Sequence, residues 1–113
     1  MIDGCPFCRY QGPSPLLLDF GDTYIIEPLE PVVPGHVLVV PFAHHEHAVA
    51  APTVFSRAAY VAARYAREAD LGACNIITSC GSAAGQVERH FYLHVLPRVE
   101  GDGLALPWAE VAA

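Results

Sequence analysis

The chain contains no lysine, and its six arginines face twelve acidic residues, which leaves a formal charge of −6 over 113 residues. That deficit excludes a broad electrostatic grip on a nucleic-acid backbone or an anionic membrane surface. The arginines, at 9, 57, 64, 67, 89 and 98, form no cluster. Any phosphate must therefore be held locally, by backbone N–H groups and histidines. Charged residues of either sign are scarce, 16% against 53% hydrophobic, which excludes a disordered or fibrous chain. Long apolar runs are missing as well. The longest, Val37 to Ala43, is interrupted by Pro41 and falls far short of the ~18 residues needed to cross a bilayer. The opening Met1-Ile2-Asp3-Gly4-Cys5 lacks the basic start and apolar stretch of a signal peptide. Together these absences predict a cytoplasmic protein, one domain over residues 1–113, that handles small molecules and has no nucleic-acid polymer or membrane as partner.

What is present reads as short strands around one helix. Leu16 to Phe20 and Thr23 to Glu27, rich in β-branched and aromatic residues, flank the hairpin signal Gly21-Asp22. Pro28 to Gly35 holds three prolines and a glycine and must be irregular. His36 to Val40 is nearly continuous in apolar residues, as in a central strand covered on both faces. From Thr53 to Leu71 the spacing turns helical, with Phe55, Ala59, Ala62, Ala66 and Ala69 predicted on the buried face. Pro52 and Thr53 mark the start, and Gly72 is placed to end it. Cys74 to Thr78 returns as a strand, and a loop at Gly81 to Gln86 leads into a last strand over residues 88–96. The pattern predicts an α+β domain with a mainly antiparallel sheet.

The last strand is the candidate functional face. Alternation places Glu88, His90, Tyr92, His94 and Leu96 on one side and Arg89, Phe91, Leu93 and Val95 on the other. Two imidazoles flanking a phenol suit chemistry or metal binding better than solvent. At the other end of the chain, Cys5-x-x-Cys8 has the spacing of half a tetrahedral zinc site. A thioredoxin-like reading needs the motif to open a helix, and Gly12-Pro13-Ser14-Pro15 follows too soon.

Three segments carry a resemblance. Pro34-Gly35-His36-Val37-Leu38-Val39-Val40-Pro41, Asn75, and the run from Ala84-Gly85-Gln86 through His90-Phe91-Tyr92-Leu93-His94 to Pro97-Arg98 are similar to the histidine-triad (HIT) family, from Cys5 to about Trp108. The resemblance implies a HIT-like fold, a five-stranded sheet with one long helix, two such sheets joined edge to edge in a homodimer, and a pocket for a nucleotide or related phosphate compound. It also implies a middle triad histidine that attacks a nucleotide's α-phosphorus. That position is Tyr92. Imidazole attacks at neutral pH, whereas a phenol with a pKa near 10 must first be activated.

By the same resemblance, Tyr92, His94 and His36 are the candidate catalytic residues, and Asn75, Ser79, Gln86 and His94 the candidate nucleotide or phosphate contacts. Ser79 stands where the family has an amide, and Val87 where it has a phosphate-binding hydroxyl. Family members with this opening bind structural Zn²⁺ through positions that here are Cys5, Cys8, His44 and His90, with His45 and His47 as alternatives to His44. Three readings follow: a nucleotide hydrolase or transferase with an unusual nucleophile, a nucleotide-binding module without catalysis, or a catalyst repurposed for another metabolite through Tyr92 and His94.

Overall fold

A computed structural model describes residues 4–8, 10 and 15–107. Five strands form one antiparallel sheet: β1 (Leu16–Asp19), β2 (Thr23–Ile26), β3 (Val37–Pro41), β4 (Ala73–Ile77) and β5 (Leu93–Arg98), in the order β1-β2-β3-β5-β4. One helix, α1 (Pro52–Glu68), lies between β3 and β4 in sequence.

The predicted hairpin forms where Gly21 takes a φ of +89° and the Asp19 carboxylate accepts the Gly21 N–H at 2.7 Å. β3 is buried along its whole length, as its unbroken apolar run requires. Val37 and Val39 face the helix with Ile25, Phe91, Leu93 and Val95. Leu38 and Val40 face the other way, against Tyr24, Ile26, Phe7 and Tyr92. The sheet thus separates two apolar clusters, and the second is closed by the segment that carries the two N-terminal cysteines.

Three expectations need correction. The last strand begins at Leu93, not at residue 88, and runs to Arg98. Its ladder with β3 pairs Val39 with Leu93 and stops. The next β3 residues end in Pro41, which has no N–H to give, and the Phe91 N–H goes to the His45 carbonyl at 2.7 Å instead. Alternation nevertheless persists through the irregular stretch, since Phe91 stays in the helix-side cluster and Tyr92 in the other.

The buried face of α1 is rotated from the predicted one. It consists of Ala58, Val61, Ala62 and Ala66, with Val54 and Tyr65 beside them, while Phe55 is exposed. Alanines on every side of the helix obscure which stripe is apolar. The helix also ends before Gly72. Asp70 adopts a φ of +56°, its N–H reaching the Arg67 carbonyl and the Leu71 N–H the Ala66 carbonyl. This is the double bond pattern of a left-handed helix end, with aspartate in the usual place of glycine.

Candidate functional site

The Cys5–Cys8 segment and the stretch before β5 meet beneath the sheet. Cys5, Cys8, His44 and His90 bring one donor atom each within 4.8 Å of one another. The separations are 3.3 Å from Cys5 Sγ to His90 Nδ1, 3.1 Å from Cys8 Sγ to His44 Nδ1, 3.6 Å from Cys8 Sγ to His90 Nδ1 and 3.3 Å between the two Nδ1 atoms. A zinc tetrahedron with Zn–N near ~2.05 Å and Zn–S near ~2.3 Å would set its ligand atoms roughly 3.3 to 3.8 Å apart. The donor set fits the metal in number, type and spacing.

The second shell agrees. His90 Nε2 donates to the Pro41 carbonyl at 2.7 Å, so its proton sits on Nε2 and the Nδ1 lone pair faces the cluster. His90 is fully buried, and burial lowers its pKa, which keeps the ring a neutral ligand. Burial likewise raises the Cys5 thiol. The cluster takes His44 and neither His45 nor His47. The His45 carbonyl accepts the Phe91 N–H, and the His47 ring accepts the Ala50 N–H at 3.2 Å to cap a short 3-10 turn at Ala48–Ala50. With all four positions taken by protein, a bound ion would have no open site, so its role would be to hold structure.

Beside this cluster lies a cleft of about 510 Å³. Phe7 forms its inner wall and meets Tyr92 edge-on, ring centroids 5.5 Å apart, and His90 at 5.7 Å. The Phe7 carbonyl is fixed by the Tyr24 hydroxyl at 2.7 Å. Burial raises that phenol's pKa and keeps it a donor. At the floor stand Tyr92, His94 and His36, and at the rim Glu27, Glu30 and Glu88.

His36 and His94 form one hydrogen-bonded pair. The Val32 N–H donates to His36 Nδ1 at 3.1 Å, so His36 carries its proton on Nε2 and gives it to His94 Nδ1 at 2.9 Å. His94 must then hold its own proton on Nε2. Burial and the neighbouring imidazole push His36 down to about 4, and burial lowers His94 as well. Both rings are neutral at pH 7.

Tyr92 is buried, and its hydroxyl oxygen accepts the Val87 N–H at 3.3 Å. Among the described residues no base hydrogen-bonds to that oxygen, and the Nδ1 lone pair of His94 is engaged with His36. The sheet aligned these groups as expected, but it does not bring every candidate to the cleft. The Asn75 side-chain oxygen accepts from Arg98 at 2.7 Å, and Arg98 also pairs with Asp102 at 2.7 Å. The Arg98 hydrogen bond, with those from the Leu104 and Val99 amides, holds the Asp102 carboxyl well below the usual carboxylate range. The Gln86 amide donates to the Glu46 and Glu88 carbonyls and accepts the Gly81 N–H at 2.8 Å. It braces the loop. Ser79 lies beneath Gly85, its Oγ 3.9 Å from where a Cβ on that glycine would stand.

The rim glutamates Glu27 and Glu30 and the walls Phe7 and Tyr10 carried no signal in the sequence. Glu27 ends a predicted strand and the other three sit in segments without periodicity, and only the fold brings them to Tyr92.

A family model described as the HIT domain matches residues 9–101. An uncharacterized HIT-like protein of Methanocaldococcus jannaschii is 30% identical over 95% of this chain and 88% of its own length. An adenosine 5′-monophosphoramidase of Saccharomyces cerevisiae is 29% identical over 92% of this chain and 69% of its own. A solved histidine triad protein from Clostridium difficile superposes with a TM-score of 0.80 at 28% identity, over 97% of this chain and 99% of the other.

Proposed function

The chain belongs to the HIT domain family, and from that premise we propose that its cleft binds a nucleoside-bearing small molecule without forming a covalent intermediate. The observation that carries this reading is the position of the Tyr92 hydroxyl. It takes the place of the attacking group, yet it bonds to the Val87 amide and meets no base. A nucleophilic phenol needs its proton removed, and the imidazole beside it, with ring centroids 5.3 Å apart, makes no hydrogen bond to the hydroxyl and has its Nδ1 lone pair engaged by His36. The yeast relative's name supplies the ligand class, an adenosine compound. The largely apolar cleft suits a base and ribose. Catalysis through Tyr92, whether on a nucleotide phosphate or another metabolite, is the reading this one displaces. Calorimetry with adenosine and AMP, paired with intact-mass analysis after incubation with an adenosine phosphoramidate, decides between them. Binding with no adenylylated protein and no released AMP supports the proposal; an adduct on Tyr92 refutes it.

Three further features belong to the same proposal. Zn²⁺ occupies the Cys5, Cys8, His44 and His90 cluster as a structural ion, supported by the donor spacing. The protein is a homodimer joined at the free edge of β4, where Ala73 and the 42% exposed Ile76 lie. Its location is cytoplasmic, in keeping with four cysteines that form no disulfide with one another; among the described residues no helix is long and apolar enough to cross a membrane.

A further inference from the structure

The glycine loop between β4 and β5 is the expected anion cradle, and five of its amides, those of Gly81, Ala84, Gly85, Gln86 and Val87, are already occupied. The Ala84 N–H donates to the Gly81 carbonyl at 3.1 Å, Gly85 to Ser82 at 3.0 Å and Gln86 to Gly81 at 3.2 Å. The Gly81 N–H goes to the Gln86 side chain at 2.8 Å, and the Val87 N–H, the one at the cleft, goes to Tyr92 Oη at 3.3 Å. A cradle binds an anion with free converging N–H groups. Here a phenol oxygen has taken the donor that faces the ligand.

The charges of the cleft agree with the geometry. Its described lining contains Glu27, Glu30 and Glu88 and no arginine. Of its two imidazoles, His36 donates to His94 and accepts from the Val32 N–H, and neither ring carries a charge at neutral pH. A phosphate entering this cleft would meet three carboxylates and no cation, in a space partly shielded from water where such repulsion is felt more strongly than in bulk.

We propose that the cleft selects ligands whose end at Tyr92 is uncharged or cationic, with Tyr92 Oη standing where a phosphate oxygen would otherwise bind. This rests on the nucleoside reading above and narrows it to a nucleoside, or a nucleoside bearing an amine, ester or amide at its 5′ position. Glu27, Glu30 and Glu88 then act as specificity residues, repelling anions and attracting an ammonium group. The phenol completes the loop that a bound phosphate would otherwise have to complete.

The test is calorimetric titration of the full-length, zinc-replete protein with three probes: adenosine, AMP and 5′-amino-5′-deoxyadenosine. Adenosine and the amine are expected to bind, with AMP at least about tenfold weaker than adenosine at low salt. The gap should shrink as ionic strength rises, because like-charge repulsion is screened. The double variant Glu27→Gln, Glu30→Gln should narrow it severalfold by raising AMP affinity more than it alters adenosine affinity. AMP binding as tightly as adenosine, or more tightly, overturns the inference while leaving a nucleoside pocket in place. A gap that neither salt nor the double variant alters overturns the role of the glutamates. If none of the three probes binds, the nucleoside reading fails and this inference with it.

Discussion

His36 donates a hydrogen bond from Nε2 to His94 Nδ1 across 2.9 Å, and the Val32 N–H behind it leaves each ring a single tautomer. The pair is a pH-sensitive element of the fold. Because the folded pKa of His36 is depressed to about 4, against about 6.5 in an unfolded chain, the unfolded state binds more protons between those values. The stability it contributes is therefore complete above about pH 6.5 and is lost as pH falls toward 4. Urea unfolding at pH 7 and pH 5 should differ more for the wild type than for His36→Phe, by roughly 1–2 kcal/mol. Comparing the two proteins cancels the shared acid sensitivity of the cysteines and His90. Equal differences would remove His36 from the account.

Zinc analysis gives a second check. Protein purified without chelator should hold one zinc per chain, and Cys8→Ser or His90→Asn should hold much less. Apparent binding free energies of structural zinc reach on the order of 10 kcal/mol, so a strong chelator should lower the melting temperature by many degrees. Because Phe7 lies between two of the ligands in sequence and touches Tyr92, adenosine binding should weaken along with the metal. Full retention of binding in metal-free protein would separate the two sites.

Tyr92→Phe removes only the hydroxyl. It should leave the Phe7 contact and adenosine binding nearly intact, destabilise the fold by roughly 0.5–1.5 kcal/mol through loss of one hydrogen bond, and tighten AMP binding by freeing the Val87 N–H. Paired titrations of wild type and variant read this directly. Weaker AMP binding in the variant would mean that the phenol helps to hold phosphate.

Gly35 precedes His36 with a φ of +82°, and a Cβ there would stand 3.1 Å from Cγ of Pro97. Both strain and contact oppose any side chain. Gly35→Ala should cost roughly 1–3 kcal/mol in denaturant unfolding, and it should disturb the His36–His94 pair before any other part of the cleft. A neutral effect would show that the turn can relax.

Size-exclusion chromatography with light scattering addresses the dimer. Ile76→Lys at the β4 edge should give a monomer that keeps its secondary structure. A lysine on an exposed edge discourages strand pairing, so an unchanged dimer would place the interface elsewhere.

Much of this was legible in the sequence because it follows from local pattern. Val37 to Val40 reads as a central strand, and its two faces do cover separate clusters. His90, Tyr92 and His94 read as one face, and that grouping survives even though the strand itself begins at Leu93. Cys5 and Cys8 have metal spacing on sight, and the cluster follows. What could not be read depends on residues distant in sequence. No pattern reveals that Tyr92 Oη meets the Val87 amide, that Gln86 turns inward to brace its loop, or that Asn75 answers to Arg98. The helix face was obscured by its alanines, and the helix end by an aspartate in a glycine's role. Glu27 ends a strand read only for its apolar residues, and Glu30 falls in a proline-rich stretch where alternation gives no direction.

The juncture of Cys5 with His90 spans 85 positions of the chain. Loop closure over such a distance is entropically costly, and contacts of long sequence separation tend to form late. Synthesis must have passed residue 90 before Cys5 and Cys8 can meet the last of the four clustered donors. Until then Phe7 has no Tyr92 to rest on, and the cleft does not exist. Binding competence thus requires the chain through His94, and a nascent fragment ending before His90 lacks both β5 and the floor of the cleft and has nothing to recognise a ligand with.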